Sequence, residues 1–167
     1  GVPHRIIEGA LITAYAAGVH TIYIYINAEA ELSTQRMQQA VDQAAQAGII
    51  GEDVLGSGYN VNVTVRRGAG GYVCGEETTL LNTMEGDRRE PRLRPPFPTE
   101  AGLFGRPTVI NNAETLASVP VIMAHGAAAF AETGLDWTCL ALEVADGDAG
   151  DAIGGMRSLG IAALSVT

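Results

Sequence analysis

Two short runs, TIYIYIN at residues 21–27 and YNVNVTV at residues 59–65, alternate in polarity with the period of a strand, and each follows a stretch of helical spacing. Ahead of the first, Ile6, Ile7, Ala10, Leu11 and Ala14 recur on one face of a helix over residues 5–17, and Gly18 is placed to cap its end. Ahead of the second, Ser33 or Thr34 can cap a helix through MQQAVDQAAQAG, which Gly48 stops. Helix–strand–helix–strand order predicts an α/β fold in which a sheet is covered by helices; strand order and direction are not written in the pattern. With 167 residues, 47% of them hydrophobic, the chain can bury one core, or one core and part of another. The apolar stretch over residues 10–26 is interrupted by Gly18 and His20 and changes period halfway, so it reads as a buried helix followed by a strand and not as a membrane span.

Downstream, RRGAGGYVCGEETTLLNTMEG passes from strand through a glycine-rich turn into a short helix beginning near Glu76. Residues 86–107 carry Pro91, Pro95, Pro96, Pro98 and Pro107 among arginines and glycines. They are expected to form a long ordered loop without helix, anchored by Leu93, Phe97, Leu103 and Phe104. Asn112 can cap a helix through AETLASVPVIMAHG, kinked or restarted at Pro120. After Gly134, WTCLALEVA reads as a strand opening a new unit.

The net charge of −9 argues against a nucleic-acid backbone as the main partner. All ten basic residues are arginines, and seven of them lie within residues 66–106, a segment suited to holding anions; charge alone favours reading them as a solvated face. Cys74 and Cys139 are too few for a disulfide framework or for the four thiolates of an iron–sulfur cluster, which fits a reducing, intracellular compartment. His4, His20 and His125 lack metal-ligand spacing and read as structural or surface residues, so no metal site is expected. The opening GVPHRIIEG shows no initiator methionine and no secretory pattern, and the sequence reads as a piece cut at both ends.

Three places carry chemistry. GAGGYVCGEE matches a dinucleotide fingerprint only loosely, because the third glycine falls on Val73, which disfavours a flavin-free nicotinamide dehydrogenase. Its glycines Gly68, Gly70, Gly71 and Gly75 allow close backbone approach, and Glu76 and Glu77 follow at a helix N-terminus, where carboxylates also simply favour helix initiation. Asn111 and Asn112 precede another helix with Thr115 in its first turn. That is an ordinary cap, or a cap whose free N–H groups and spare amide hold a phosphate or a flavin edge. Phe97, flanked by prolines, is a small core plug or a stacking surface for a flat ring.

PHRIIEGALITAYA, RGAGGYVCGEETTLLNTMEG and PRLRPPFPTEAGLFGRPTVINNAETLASV, in this order, resemble the NADH-oxidising FMN flavoprotein subunit of respiratory complex I over about residues 2–125. Diaphorase subunits of NAD-linked hydrogenases and formate dehydrogenases share the module. The resemblance implies a Rossmann-like FMN-binding domain over residues 1–126. It implies for residues 127–167 a connector and the start of a small ubiquitin-like β-grasp (SLBB-type) domain, with the match lost after Asp146. It also implies that Gly75, Glu76 and Glu77 border FMN, with Glu77 facing the nicotinamide of NAD(H) as the catalytic member. Phe97 is similar to the aromatic that stacks on the adenine, and Ile110, Asn111, Asn112 and Thr115 match a second FMN-contacting run. Cys74 would lie beside the flavin.

The implied activity is hydride transfer from NADH to FMN, then electron transfer to an iron–sulfur cluster and on to quinone. The implied partners are the other subunits of the NADH dehydrogenase module, including one with a 2Fe-2S cluster, on the cytoplasmic peripheral arm of a bacterial inner-membrane complex, without direct membrane insertion. The family's upstream glycine loop and downstream 4Fe-4S cysteines are not in this sequence, so weak or absent FMN binding by this piece alone is expected, as is inactivity in isolation. A non-catalytic scaffold fragment that binds no flavin is the rival reading.

Overall fold

In the computed structural model, residues 2–68 and 75–125 are described; Cys74, Gly70, Gly71 and the strand expected at WTCLALEVA lie outside them. The description is of the unit that ends at His125. Its elements are α1 (Pro3–Ala16), β1 (Thr21–Ile26), α2 (Glu31–Gln46), β2 (Asn62–Arg67), α3 (Glu77–Glu85), α4 (Pro98–Ala101) and α5 (Ala113–His125).

The expected alternation is present, and the structure supplies the direction that the sequence withheld. β1 and β2 run parallel, from Thr21 opposite Asn62 to Ile26 opposite Arg67, with α2 as the connection between them. Ile7 of α1, Met37, Ala40, Val41 and Ala44 of α2, and Ile50 form the buried core. Ile24, Ile26, Val63 and Val65 of the sheet pack against it, so α1 and α2 cover one face of the strand pair. Gly18 (φ +66°) and Gly48 (φ +71°) take the left-handed conformation just past α1 and α2, where a side chain would be strained.

Two expectations are corrected. α2 starts at Glu31, ahead of Ser33 and Thr34, and without a side-chain cap. Thr34 lies inside the helix and donates its hydroxyl to the Ala30 carbonyl at 3.1 Å, because a β-hydroxyl within a first turn reaches back one turn. The 86–107 segment contains helical turns, α4 and a 3₁₀ turn at Leu103–Gly105. Pro98 at the first position of α4 has no N–H to leave unsatisfied, and Glu100 accepts the Phe97 N–H at 2.9 Å. The helix expected after Asn112 is α5, which continues through Pro120 and does not restart there.

That continuity has a packing counterpart. Pro120 has no N–H, so the Leu116 carbonyl one turn earlier loses its helical partner. Buried Gly9 of α1 faces that carbonyl so closely that a Cβ on Gly9 would clash with its oxygen. The glycine lets α1 and α5 approach to backbone contact. Alanine ordinarily favours a helix interior over glycine by about 1 kcal/mol; here the obstacle is backbone, which cannot rotate aside. Gly9→Ala is therefore expected to lower stability by about 1–3 kcal/mol in urea unfolding. A neutral or stabilising result would show that the two helices separate without cost.

Candidate functional site

α3 opens on a carboxylate. Glu76 is its N-cap, with Oε2 accepting the Thr79 N–H at 2.7 Å and the hydroxyls of Thr78 and Thr79 at 2.6 and 3.1 Å. Helix starts leave such N–H groups without partners, and an acidic cap also meets the positive end of the helix dipole. Burial pushes the Glu76 carboxyl up, but the bonds from Thr78 and Thr79 prevail and hold it down at about 2. Its other oxygen, Oε1, lies 2.7 Å from Arg94 Nη2, and the same nitrogen lies 2.9 Å from Oε1 of Glu77.

Arg94 belongs to the proline-rich segment, which a second arginine ties to the same helix. Arg92 donates from Nε to Asn82 Oδ1 at 2.6 Å and from Nη1 to the Gly102 carbonyl at 3.1 Å, and its Nη2 lies 2.7 Å from Glu85 Oε2. Its backbone N–H donates to Thr78 Oγ1 at 2.9 Å, and Thr78 in turn donates to Glu76. Glu85 also accepts the Phe104 N–H at 2.7 Å. Burial raises the Glu85 carboxyl, and the bonds from Arg92 and Phe104 with the Arg92 charge bring it below the ordinary value.

These contacts correct the expected apolar anchoring of the segment. Leu103 alone among the four named residues is buried, while Leu93, Phe97 and Phe104 are 92%, 50% and 63% exposed. Charge pairing replaces apolar burial because Asn82, Glu85 and the head of α3 offer fixed acceptors, which the prolyl segment meets with its arginine side chains and with the Arg92 and Phe104 N–H groups. Part of the arginine-rich region thus holds the protein's own carboxylates: Arg92 on Glu85, Arg94 on Glu76 and Glu77, and Arg67 on Glu31. The close approach expected at Gly68 is likewise internal, since a Cβ there would lie 2.5 Å from the Tyr25 hydroxyl.

The other named residues fall into two places. Gly75 is exposed beside the Glu76 cap, and among the described residues a Cβ on it would meet nothing within 4 Å. Phe97, joined through Arg94 to the same cap, keeps half its ring in solvent and is no core plug. Ile110, Asn111, Asn112 and Thr115 gather at the head of α5, where Asn112 Oδ1 accepts the Glu114 N–H at 2.8 Å, the cap expected from the sequence. Asn111, Asn112 and Thr115 are exposed and Ile110 is half-buried. Among the described residues no hydrogen bond or ion pair links the α5 group to the α3 group. Arg92, Arg94, Thr78 and Thr79 escaped sequence reasoning; the signal that could have found them is the RLR spacing downstream of an acidic helix start. No group of three or more His, Cys, Asp or Glu among the described residues could hold a metal ion.

The depressed Glu76 carboxyl sets a pH dependence. Its contribution is fully present above its ordinary value of 4.5 and is lost as pH falls from there through about 2. The side chain is 37% exposed, so solvent screening keeps the effect modest. Glu76→Gln is expected to lower the urea midpoint at pH 7, with the gap to wild type closing as pH drops from 4.5 toward 2. A gap independent of pH would mean that the cap works without its charge.

The pattern of the Nuo51 FMN-binding domain matches residues 1–121. An NADH-quinone oxidoreductase subunit of Rhizobium meliloti (strain 1021) is 52% identical over 134 residues, 80% of this chain and 32% of the relative. The corresponding NADH-quinone oxidoreductase subunit of Aquifex aeolicus (strain VF5) is 47% identical over 124 residues, 74% of this chain and 29% of the relative. This chain therefore spans about a third of the length of these relatives. Among solved structures, a chain of an NAD+-reducing [NiFe]-hydrogenase in the H2-reduced state superposes with a TM-score of 0.66 at 35% identity, covering 75% of this chain and 21% of that one. On the match over residues 1–121 and these identities, the chain belongs to the Nuo51 FMN-binding domain family.

Proposed function

We propose that this chain is part of an NADH dehydrogenase module, in which it contributes to the pocket where NADH delivers hydride to FMN and electrons leave for an iron–sulfur cluster and quinone. The observation that carries the reading is the family match over residues 1–121, which spans both the α3 and the α5 groups.

The donor set fits a phosphorylated flavin. Capping occupies Asn112 Oδ1 and leaves its NH₂ to donate, beside the exposed amide of Asn111 and hydroxyl of Thr115 at a helix start. Among the described residues nothing stands over Gly75, which supports a flat ring lying against backbone there. Gly75, Glu76, Ile110, Asn111, Asn112 and Thr115 would hold the FMN, and Phe97 offers a half-exposed face for the adenine of NADH. Bound flavin supplies the chemistry of accepting electrons as hydride and releasing them singly. Glu77 accepts a hydrogen bond from the ribose or carboxamide of NADH and so fixes its pose.

In the same proposal, residues 1–126 belong to the FMN-binding domain and residues 127–167 are a connector opening a ubiquitin-like domain. The partners are the module's other subunits, one with a 2Fe-2S cluster, and the location is the cytoplasmic peripheral arm. Among the described residues no helix is long and apolar enough to cross a membrane. The hydrogenase structure favours a second reading, a diaphorase subunit, although its 35% identity falls below the 52% of the quinone-linked relative.

Full-length protein containing this chain should carry FMN and oxidise NADH with an artificial acceptor. In its complex, NADH-dependent quinone reduction supports the first reading and hydrogen-dependent NAD⁺ reduction the second. The isolated chain should bind FMN more weakly than the full-length protein in a fluorescence titration; equal affinity would mean that the rest of the pocket is dispensable. Glu77→Gln in the full-length protein should change NADH and NAD⁺ affinity by about 1–3 kcal/mol with the fold intact. Unchanged kcat, KM and product inhibition would return Glu77 to helix initiation alone.

A further inference from the structure

We propose that Arg94 is a positioning residue that fixes the Glu77 carboxylate for nicotinamide binding, an inference that rests on the function proposed above. Oε2 of Glu76 is bound by Thr78 and Thr79 at the start of α3, which anchors this carboxylate to the helix. Its remaining oxygen holds Arg94 Nη2 at 2.7 Å, and that nitrogen holds Glu77 Oε1 at 2.9 Å. Among the described residues Arg94 is the one hydrogen-bonding or ion-pairing partner of the Glu77 side chain. Glu77 is thus oriented at second hand, from helix to Glu76 to Arg94.

The three side chains are 36%, 37% and 40% exposed. Ion pairs so open to solvent add little to folding, whereas orientation of a carboxylate that meets a ligand acts directly on affinity. Arg92 provides the contrast, since it sits deeper, makes four contacts and fastens the segment to α3. Arg92 holds the fold of the segment, and Arg94 holds the direction of one charge.

The test is a double-mutant cycle in the full-length protein within its complex, reading flavin content, thermal midpoint, and kcat and KM for NADH with an artificial acceptor. Arg94→Gln is expected to raise KM about tenfold, the scale of one charge-assisted hydrogen bond, with kcat within about twofold and flavin content unchanged. Its thermal midpoint should move by about 2 °C or less, as for an exposed ion pair. Arg94→Lys, which keeps the charge and can reach both carboxylates, should restore KM to within about threefold of wild type. Adding Arg94→Gln to Glu77→Gln should raise KM less than about twofold further, because the arginine acts through the carboxylate. Multiplicative effects of the two substitutions, or wild-type KM in Arg94→Gln, would overturn the inference while leaving the proposed function in place; wild-type KM in Glu77→Gln would overturn the inference together with the nicotinamide-binding role of Glu77. A wild-type protein that carries no flavin and does not oxidise NADH would overturn both.

Discussion

A helix start must find acceptors for N–H groups that its own carbonyls cannot reach, and α3 meets that requirement with the carboxylate of Glu76. Because a carboxylate has two oxygens, one closes the helix and the other remains for Arg94. The cap thereby becomes a joint. Through Arg94 it reaches Glu77 and the segment that bears Phe97, and through the Thr78 hydroxyl it reaches the backbone of Arg92. A glutamine would retain one acceptor oxygen but not the charge that makes both bonds strong.

The α5 side of the candidate site is placed by packing. Helices approach to backbone distance only where no side chain intervenes, and Gly9 opposite the Leu116 carbonyl supplies that gap. Pro120 is part of the same arrangement, since it leaves that carbonyl without a helical partner. The position of Asn111, Asn112 and Thr115 thus depends on how α5 lies against α1, which in turn packs on the core shared by α2 and the strand pair. A polar lattice fixes one group of candidate residues, and steric fit fixes the other.

Periodicity and end signals made much of the fold legible. Ile6, Ile7, Ala10 and Ala14 marked α1, the alternating TIYIYI marked β1, and Gly18 and Gly48 marked two helix ends, because each depends on interactions within a few residues. Asn112 was readable as a cap for the same reason. The misreadings share an opposite cause. Thr34 has the composition of a cap, yet the start of α2 depends on how the chain leaves β1. Leu93 and Phe104 have the composition of anchors, yet burial depends on a surface that composition does not specify. The motifs that resemble complex I flavoprotein subunits named the family; they did not reveal that Arg92 and Arg94 bind the protein's own carboxylates.

By itself the sequence determined the element order, most helix ends, the acidic helix start at Glu76 and Glu77, and the family to which the chain belongs. These follow from local stereochemistry and from motif order, both carried by residues near one another in the chain. The tertiary structure alone decided that β1 and β2 run parallel, that Gly9 meets Leu116, and that one guanidinium nitrogen serves two glutamates seventeen and eighteen residues before it. Each of these joins groups far apart in sequence, whose meeting depends on how the intervening chain folds back, and no local pattern encodes that distance.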